Sequence, residues 1–534
     1  MRTTPARRSI ALSASLVLAA GLTVSAPAFA GQEKARPKAA AATTDADRLA
    51  TALTVNGQLR HLRQLQVIAN RNDGNRASGL PGYTASADYV AKKLKDAGYV
   101  VKRQTFTFPF SRDLEPATLA QVEPTAKDID TQAFQYSGSG DVTGPVVPVD
   151  LTLPPLAEPG STSGCEAEDF PAAPSEDAVA LLQRGTCDFG AKAANAEAAG
   201  YAAAIIFNEG QEGRTELLTG TLGEAVGIPT VGISFEDGAA LAETENATVK
   251  VTAKTENDAA RKTENVIANL PASSRTKNPG QAVLVGAHLD SVAEGPGIND
   301  NGTGTAAVLE TALQLRRTKI DKKLQRPVRF AFWGAEEAGL LGSQYYVDSL
   351  TDLQRSRIYA NLNFDMLGSP NYVRFVYDGN GSASDLGGEA GPAGSAQIER
   401  VFTNYYGSKK LATAPTAFDG RSDYGPFIEY GIPAGGLFSG AEGVKTEAEA
   451  ATYGGVAGEA YDACYHQACD DITNLSTKAM SELGDGAAYA TVRIAQSKLG
   501  LYGDAGTRRA TKSKASVKAK GARARAHSEH SLRR

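Results

Sequence analysis

Three continuous apolar runs, AVLVGA (282–287), PVRFAFW (327–333) and IYANLNF (358–364), are separated by helix-like stretches from Thr303 to Arg317 and from Leu340. Strands that are apolar along most of their length have no face to give to water. They predict an α/β domain whose mixed central sheet is covered by helices on both faces. Each run also ends in chemistry: His288 and Asp290 follow the first, Glu336 and Glu337 the second, Asp365 the third. Ligands of open α/β sheets bind outside the carboxyl ends of the strands, so the polar groups gather where a site belongs.

Two further motifs join them. The loop after His288 carries Asp300 inside GPGINDNGTGT, a Gly/Asn-rich turn leading into a helix, and CYHQAC presents His466 between two cysteines. Of the five histidines, only three lie outside the leader and the tail. His288 and His466 fall in these motifs, whereas His61 sits in the helix-like RHLRQLQ and is most simply a surface or packing residue. Imidazole with carboxylate suits zinc, and two His with an odd number of acids can hold two ions if one Asp bridges them. His288, Asp300, Glu337, Asp365 and His466 form such a set. A lone Asp at a strand end is ordinarily a cap or turn residue, but five such groups on strand ends and rigid loops are a pattern. CYHQAC by itself also fits a Cys/His zinc site. In an oxidising compartment its cysteines pair with each other and leave His466 free for metal.

The start supports that compartment. Arg7 and Arg8, an apolar run from Ile10 to Val24 and Ala28-Phe29-Ala30 make a signal peptide over 1–30, fitting either the general or the twin-arginine export route. The run is too short to span a membrane, and no later stretch supplies a span. Residues 31–45 read as a linker or propeptide. Residues 504–534 read as a disordered basic tail, with ten Lys/Arg against one Glu from Gly506 on, so the body is more acidic than the net charge of −5. An acidic body repels phosphate backbones, which argues against nucleic acid as a partner. Cys165, Cys187, Cys464 and Cys469 allow three pairings, and neighbourhood favours Cys165–Cys187 and Cys464–Cys469.

Between the leader and the tail the texture changes twice. YTASADYVAKKLKDAG (83–98) predicts a helix opened by Thr/Ser caps and closed at Gly98, followed by a strand VVKRQTFTF. Short strands with Pro/Gly punctuation then fill residues 113–256. Within them AVALLQRGTCDFGAKAANAEAAGYAAAIIFN reads strand, turn, helix, strand, has no His, and shows no ligand spacing. The layout is a split domain, 46–112 with 257–503, interrupted by a mainly-β insert at 113–256.

GAHLDSVAEGPGINDNGTGTA, FAFWGAEEAGLLGSQYY, NLNFDMLGSP, FDGRSDYGPF and CYHQACD closely resemble the co-catalytic dizinc aminopeptidases of the secreted bacterial leucyl-aminopeptidase type. Their superfamily includes aminopeptidase Y and the transferrin-receptor ectodomain. The resemblance spans about 280 to 480 and implies a zinc exopeptidase fold. It implies two zinc ions per chain: His288 and Asp365 on one, Glu337 and His466 on the other, Asp300 bridging. It further implies Asp290 as the carboxylate orienting His288 and Glu336 as general base. Tyr465 would donate a hydrogen bond to the scissile carbonyl, with Arg421 and Phe438 near the substrate. The implied substrates are peptides with a free, hydrophobic amino-terminal residue, and the implied state is a monomer acting outside the cell. The insert resembles a protease-associated domain, which implies a role in access rather than catalysis; no acidic loop matches a calcium site, so calcium is unassigned. A glutaminyl cyclase, a carboxypeptidase or a non-catalytic binding ectodomain could use the same fold. A cyclase needs one metal, and a dead ectodomain would not keep every ligand and Glu336. A serine hydrolase lacks its G-x-S-x-G elbow.

Overall fold

The computed structural model describes residues 43–270, 278, 280–383, 388–498 and 501. The expected signal peptide, nearly all of the linker and the basic tail lie outside the described residues.

Four parallel strands form the centre of the peptidase half, in the spatial order Ala434–Phe438, Ile358–Phe364, Ala282–His288 and Val328–Trp333. Val283, Val285, Leu362 and Phe330 pack to one side with the helices Val55–Asn70, Gly304–Arg317 and Thr477–Ala495. Leu284, Ala331 and Trp333 face the other way, against Tyr346, Val347 and Phe427. Both faces are covered, which is why the runs are largely apolar on both sides, and even Asn361 and Asn363 are buried. Antiparallel strands flank the centre, Phe375–Tyr377 on one side and Thr248–Asn269 on the other, so the sheet is mixed.

Being parallel, the four central strands end on the same edge. His288 closes one, Asp365 follows another, and Glu336-Glu337 follow a third across a two-residue turn. Topology alone thus converges groups far apart in sequence.

The insert is reached along two strands rather than through a flexible linker. Val100–Glu123 and Thr248–Asn269 pair antiparallel from Val100↔Asn269 to Glu123↔Thr248, with register shifts near Phe108, Glu115 and Gln121. Both expected junctions, 112/113 and 256/257, therefore fall inside continuous strands. Beyond them, Gly140–Pro148, Val179–Gln183, Ala203–Phe207 and Thr230–Ile233 run parallel to one another in that order, with short helices Phe189–Ala198 and Phe235–Glu243. Val179–Gln183 and Ala203–Phe207 are buried at every residue and separate two small cores.

One local expectation changes and another is narrowed. The helix expected from Tyr83 starts at Pro81 and has no side-chain cap; proline at its first turn, whose N–H groups are orphaned in any helix, takes the place of the Thr/Ser cap. Of the two roles open to His61, surface or packing, the structure shows packing: it is buried, with Nδ1 2.7 Å from the Tyr89 hydroxyl and Nε2 3.0 Å from Glu310.

Candidate active site

Asp300 organises the site. Its Oδ1 lies 3.2 Å from His288 Nε2 and its Oδ2 lies 3.3 Å from His466 Nε2, so each carboxylate oxygen faces a different imidazole. Asp365 Oδ1 completes the first group at 3.2 Å from His288 Nε2, and Glu337 Oε2 completes the second at 3.1 Å from His466 Nε2. The donor atoms of each trio lie within 4.8 Å of one another. All five residues expected as zinc ligands are brought together in two trios that share Asp300.

Their surroundings fix them. His288 Nδ1 is 3.2 Å from the Asp290 carbonyl and 3.5 Å from its carboxylate, and the Thr305 hydroxyl donates to the His288 carbonyl. The Ser422 hydroxyl donates to Asp365 Oδ2 and accepts from Asn363. His466 stands in a loop closed by the Cys464–Cys469 disulfide, and the second disulfide joins Cys165 to Cys187, as neighbourhood favoured. Ala335, Met366 and His466 all have positive φ, at 53°, 50° and 58°. Left-handed backbone at non-glycine residues is costly and collects at functional sites, and here each of the three is a proposed ligand or lies next to a proposed site residue.

Electrostatics test whether metal fits. Burial alone would lower His288, yet Asp365, Glu336, Asp290 and Asp300 hold it well above the usual imidazole range; His466 is likewise held up at about 11 against burial, by Glu337 and Asp300. Burial raises Glu337 to about 7, and Glu336 is pushed well above the carboxylate range. Glu337 Oε1 and Asp290 Oδ2 are buried without a hydrogen-bond partner. The cluster is crowded with oxygen donors and short of positive charge, an N/O set that suits zinc.

Glu336 Oε2 stands 4.0 Å from His288 Nε2, while its backbone N–H points to Asp290 Oδ1 at 3.4 Å. The pocket beside it has a volume of about 70 Å³, with Met366, Tyr377, Phe438 and Ala441 as apolar wall and Asp419, Arg421 and Tyr465 as polar wall. Tyr465 stacks on His466 with ring centroids 3.8 Å apart. Arg421 pairs with Glu442 at 2.7 Å. The expected site residues thus share one pocket or its immediate support. The sequence reading missed Ser422, Asp470 and Arg76. Ser422 lay inside the quoted FDGRSDYGPF, but nothing in a one-dimensional pattern marks a serine as the partner of Asp365.

Residues 265–491 match the model of peptidase family M28, and residues 142–241 match that of the PA domain. An aminopeptidase of Pseudomonas aeruginosa is 46% identical over 446 residues, covering 82% of this chain and 80% of its own. Leucine aminopeptidase 2 of Arthroderma otae is 38% identical over 86% of this chain and 87% of its own. Among solved structures, BSAP, a zinc aminopeptidase from Bacillus subtilis, superposes with a TM-score of 0.59 at 27% identity, over 84% of this chain and 96% of its own. Likeness that deep, running through both the insert and the domain that it interrupts, places the chain: it belongs to peptidase family M28, as an aminopeptidase with a PA domain built into it.

Proposed function

We propose that the enzyme removes hydrophobic, leucine-type residues from the free amino termini of peptides with two zinc ions. His288 and Asp365 would hold one, Glu337 and His466 the other, with Asp300 between them. Asp300 carries this reading, because its two oxygens are each turned to a different histidine. When bound, the ions supply Lewis acidity and lower the pKa of water. The Arthroderma otae relative is named for leucine and the Bacillus subtilis structure for zinc, which supports the same choice.

The chain's own groups supply the rest. Glu336 takes the proton of the attacking water and returns it to the leaving amine. Tyr465 is held well above the usual phenol range by burial and by Asp300 and Glu337, so it stays protonated and can donate to the scissile carbonyl oxygen. Asp290 keeps the His288 ring in place from its far side. Glu336, Asp365 and Asp419 line a pocket suited to an ammonium group, and Met366, Tyr377 and Phe438 one suited to an apolar side chain. Export follows from the leader at 1–30, with the mature chain beginning at Gly31 and working outside the cell as a monomer; the split domain 46–112 with 257–503 and the insert 113–256 are the units of that mature chain.

The test joins metal analysis to a substrate panel. Purified protein should carry two zinc ions per chain and lose turnover to a chelator. It should cleave Leu-anilide, refuse acetyl-Leu-anilide and leave amino-terminal Gln uncyclised. A fully active metal-free preparation, or efficient cleavage of the blocked substrate, would end the proposal.

A further inference from the structure

The span between His288 and Asp300 is a stretch of loop with little regular structure, yet both ends must meet within hydrogen-bond distance. What shapes it is a buried cation. Arg76, in the turn between the helices Val55–Asn70 and Pro81–Asp96, is fully buried. Its Nε donates to the Pro296 carbonyl at 2.8 Å, Nη2 to Gly297 at 2.5 Å and Nη1 to Leu289, while its backbone N–H donates to Ser291 Oγ. Three carbonyls of one loop thus turn inward onto one guanidinium.

From the other side Asp470, next to the Cys464–Cys469 loop, takes the amides. Its Oδ1 accepts from Asn299 N–H at 2.7 Å, its Oδ2 from Asp300 N–H at 2.9 Å, and its carbonyl from Ile298 N–H at 2.9 Å. Gly297 shows how closely the loop is wrapped. Its φ is +58°, and a Cβ there would stand 2.3 Å from the Asp300 carbonyl oxygen, 2.4 Å from Ser291 Cβ and 3.1 Å from Arg76 Nη2.

We infer that Arg76 and Asp470 are positioning residues that fix the span from His288 to Asp300 before any metal arrives, Arg76 by gathering its carbonyls and Asp470 by gathering its amides. The inference rests on the zinc reading of the site. Arg76 meets carbonyls rather than a carboxylate, so its charge is left to act at longer range on Asp290, Asp470, Asp300 and Glu337. Burial draws its guanidinium down to about 10, which still leaves it charged at neutral pH. A buried cation that only filled space would be costly; one facing a surplus of buried acids is compensated by them. Lysine cannot replace it, because a single ammonium cannot reach three carbonyls set around a planar fork.

Hydrogen exchange on the metal-free wild-type enzyme tests this without any variant. Peptides covering Ile298 to Asp300 should be protected by a factor of about 100 or more, and zinc should change that little. Exchange near the unprotected rate until zinc is added would overturn the inference. Cobalt titration gives the second arm. Wild type should take two Co2+ per chain, while R76K and D470N should each lose about 10- to 100-fold in Co2+ affinity and shift the visible absorption, as supporting contacts around ligands do. R76K with wild-type affinity and spectrum would refute the positioning role. Wild type that takes no cobalt would instead sink the zinc reading and leave the loop to be judged by exchange.

Discussion

Glu209 in the PA domain and Glu337 in the peptidase domain occupy the same kind of place, just beyond the end of a largely apolar parallel strand, the first buried and the second with about a tenth of its side chain exposed. Glu209 is fully partnered: Oε1 accepts from the Gly160 and Ser161 amides at 2.7 and 2.9 Å, and Oε2 pairs with Arg214 at 2.8 Å. Glu337 is not, since Oε2 meets His466 while Oε1 meets nothing. Position at a strand end makes a site possible, and the partner list separates the two uses. A carboxylate whose acceptors are all taken by its own fold is structural, whereas one left short of positive charge is available to a ligand.

The strongest way to break that contrast is at the proton. Glu336→Gln keeps the shape and removes the base, so kcat should fall by roughly 100- to 10,000-fold while zinc content and KM change little. Glu209→Gln should leave kcat within twofold and lower the melting temperature, because it weakens a charged contact to Arg214 and to two amides. Steady-state kinetics on metal-analysed protein decides both; near-normal kcat in metallated Glu336→Gln removes the base assignment.

Next in size is Glu337→Gln. Loss of a donor should weaken one of two zinc ions by more than the roughly 10- to 100-fold that outer contacts are worth, and excess zinc should restore part of the turnover. If instead it binds two zinc ions normally and turns over poorly, the roles within the Glu-Glu pair are exchanged.

The disulfides sharpen the comparison at smaller scale. Replacing Cys464 and Cys469 by Ser frees the loop carrying His466, and zinc should dissociate several-fold faster. Replacing Cys165 and Cys187 opens a longer loop, 22 residues apart in sequence, for about 3 kcal/mol of stability by chain entropy. Turnover of the folded fraction should not move. Equal effects of the two pairs on zinc retention would mean that the 464–469 link does not support the site.

Much of this was legible in one dimension because parallel strands do two things at once. Burial on both faces makes them largely apolar, and the end of each one is where polar residues cluster, so His288, Glu337 and Asp365 stood out in the sequence. The loop of Asp300 and the disulfide-closed loop of His466 could be added by their Gly, Asn and Cys content. Arg76 could not, since a charged residue in a Gly/Asn-rich turn looks like any solvated one, and its burial is created by a loop more than 200 residues away. The choice between surface and packing stayed open for His61 for the same reason: its partner Glu310 comes from a distant helix, and polar spacing on RHLRQLQ resembles an exposed face. The continuous pairing of 100–123 with 248–269 was hidden by bulges that break the period-two pattern.

Glu310 lets the contrast be tested inside the peptidase half, where domain identity cannot explain the result. Its carboxylate is nearly inaccessible, and it is satisfied by His61 at 3.0 Å and Gln314 at 2.7 Å, with Arg317 and Arg60 at 3.7 and 3.8 Å. Burial opposes its charge, but these partners outweigh burial and hold it below the usual carboxylate range. A group depressed in the folded state contributes stability above its unfolded pKa, near 4.5, and loses it as pH falls through the lower folded value. Glu310→Gln should therefore cost about 1.5–3 kcal/mol at pH 7, the worth of hydrogen bonds to a charged group. The gap to wild type should narrow as pH drops below about 4.5. Turnover should stay within twofold at every pH, because none of its partners faces the pocket beside Glu336. Denaturant melts across pH read the first effect and kinetics the second. A variant that keeps its stability at pH 7 but loses turnover would show that a fully partnered buried carboxylate can still serve the chemistry, and the distinction between Glu209 and Glu337 would lose its force.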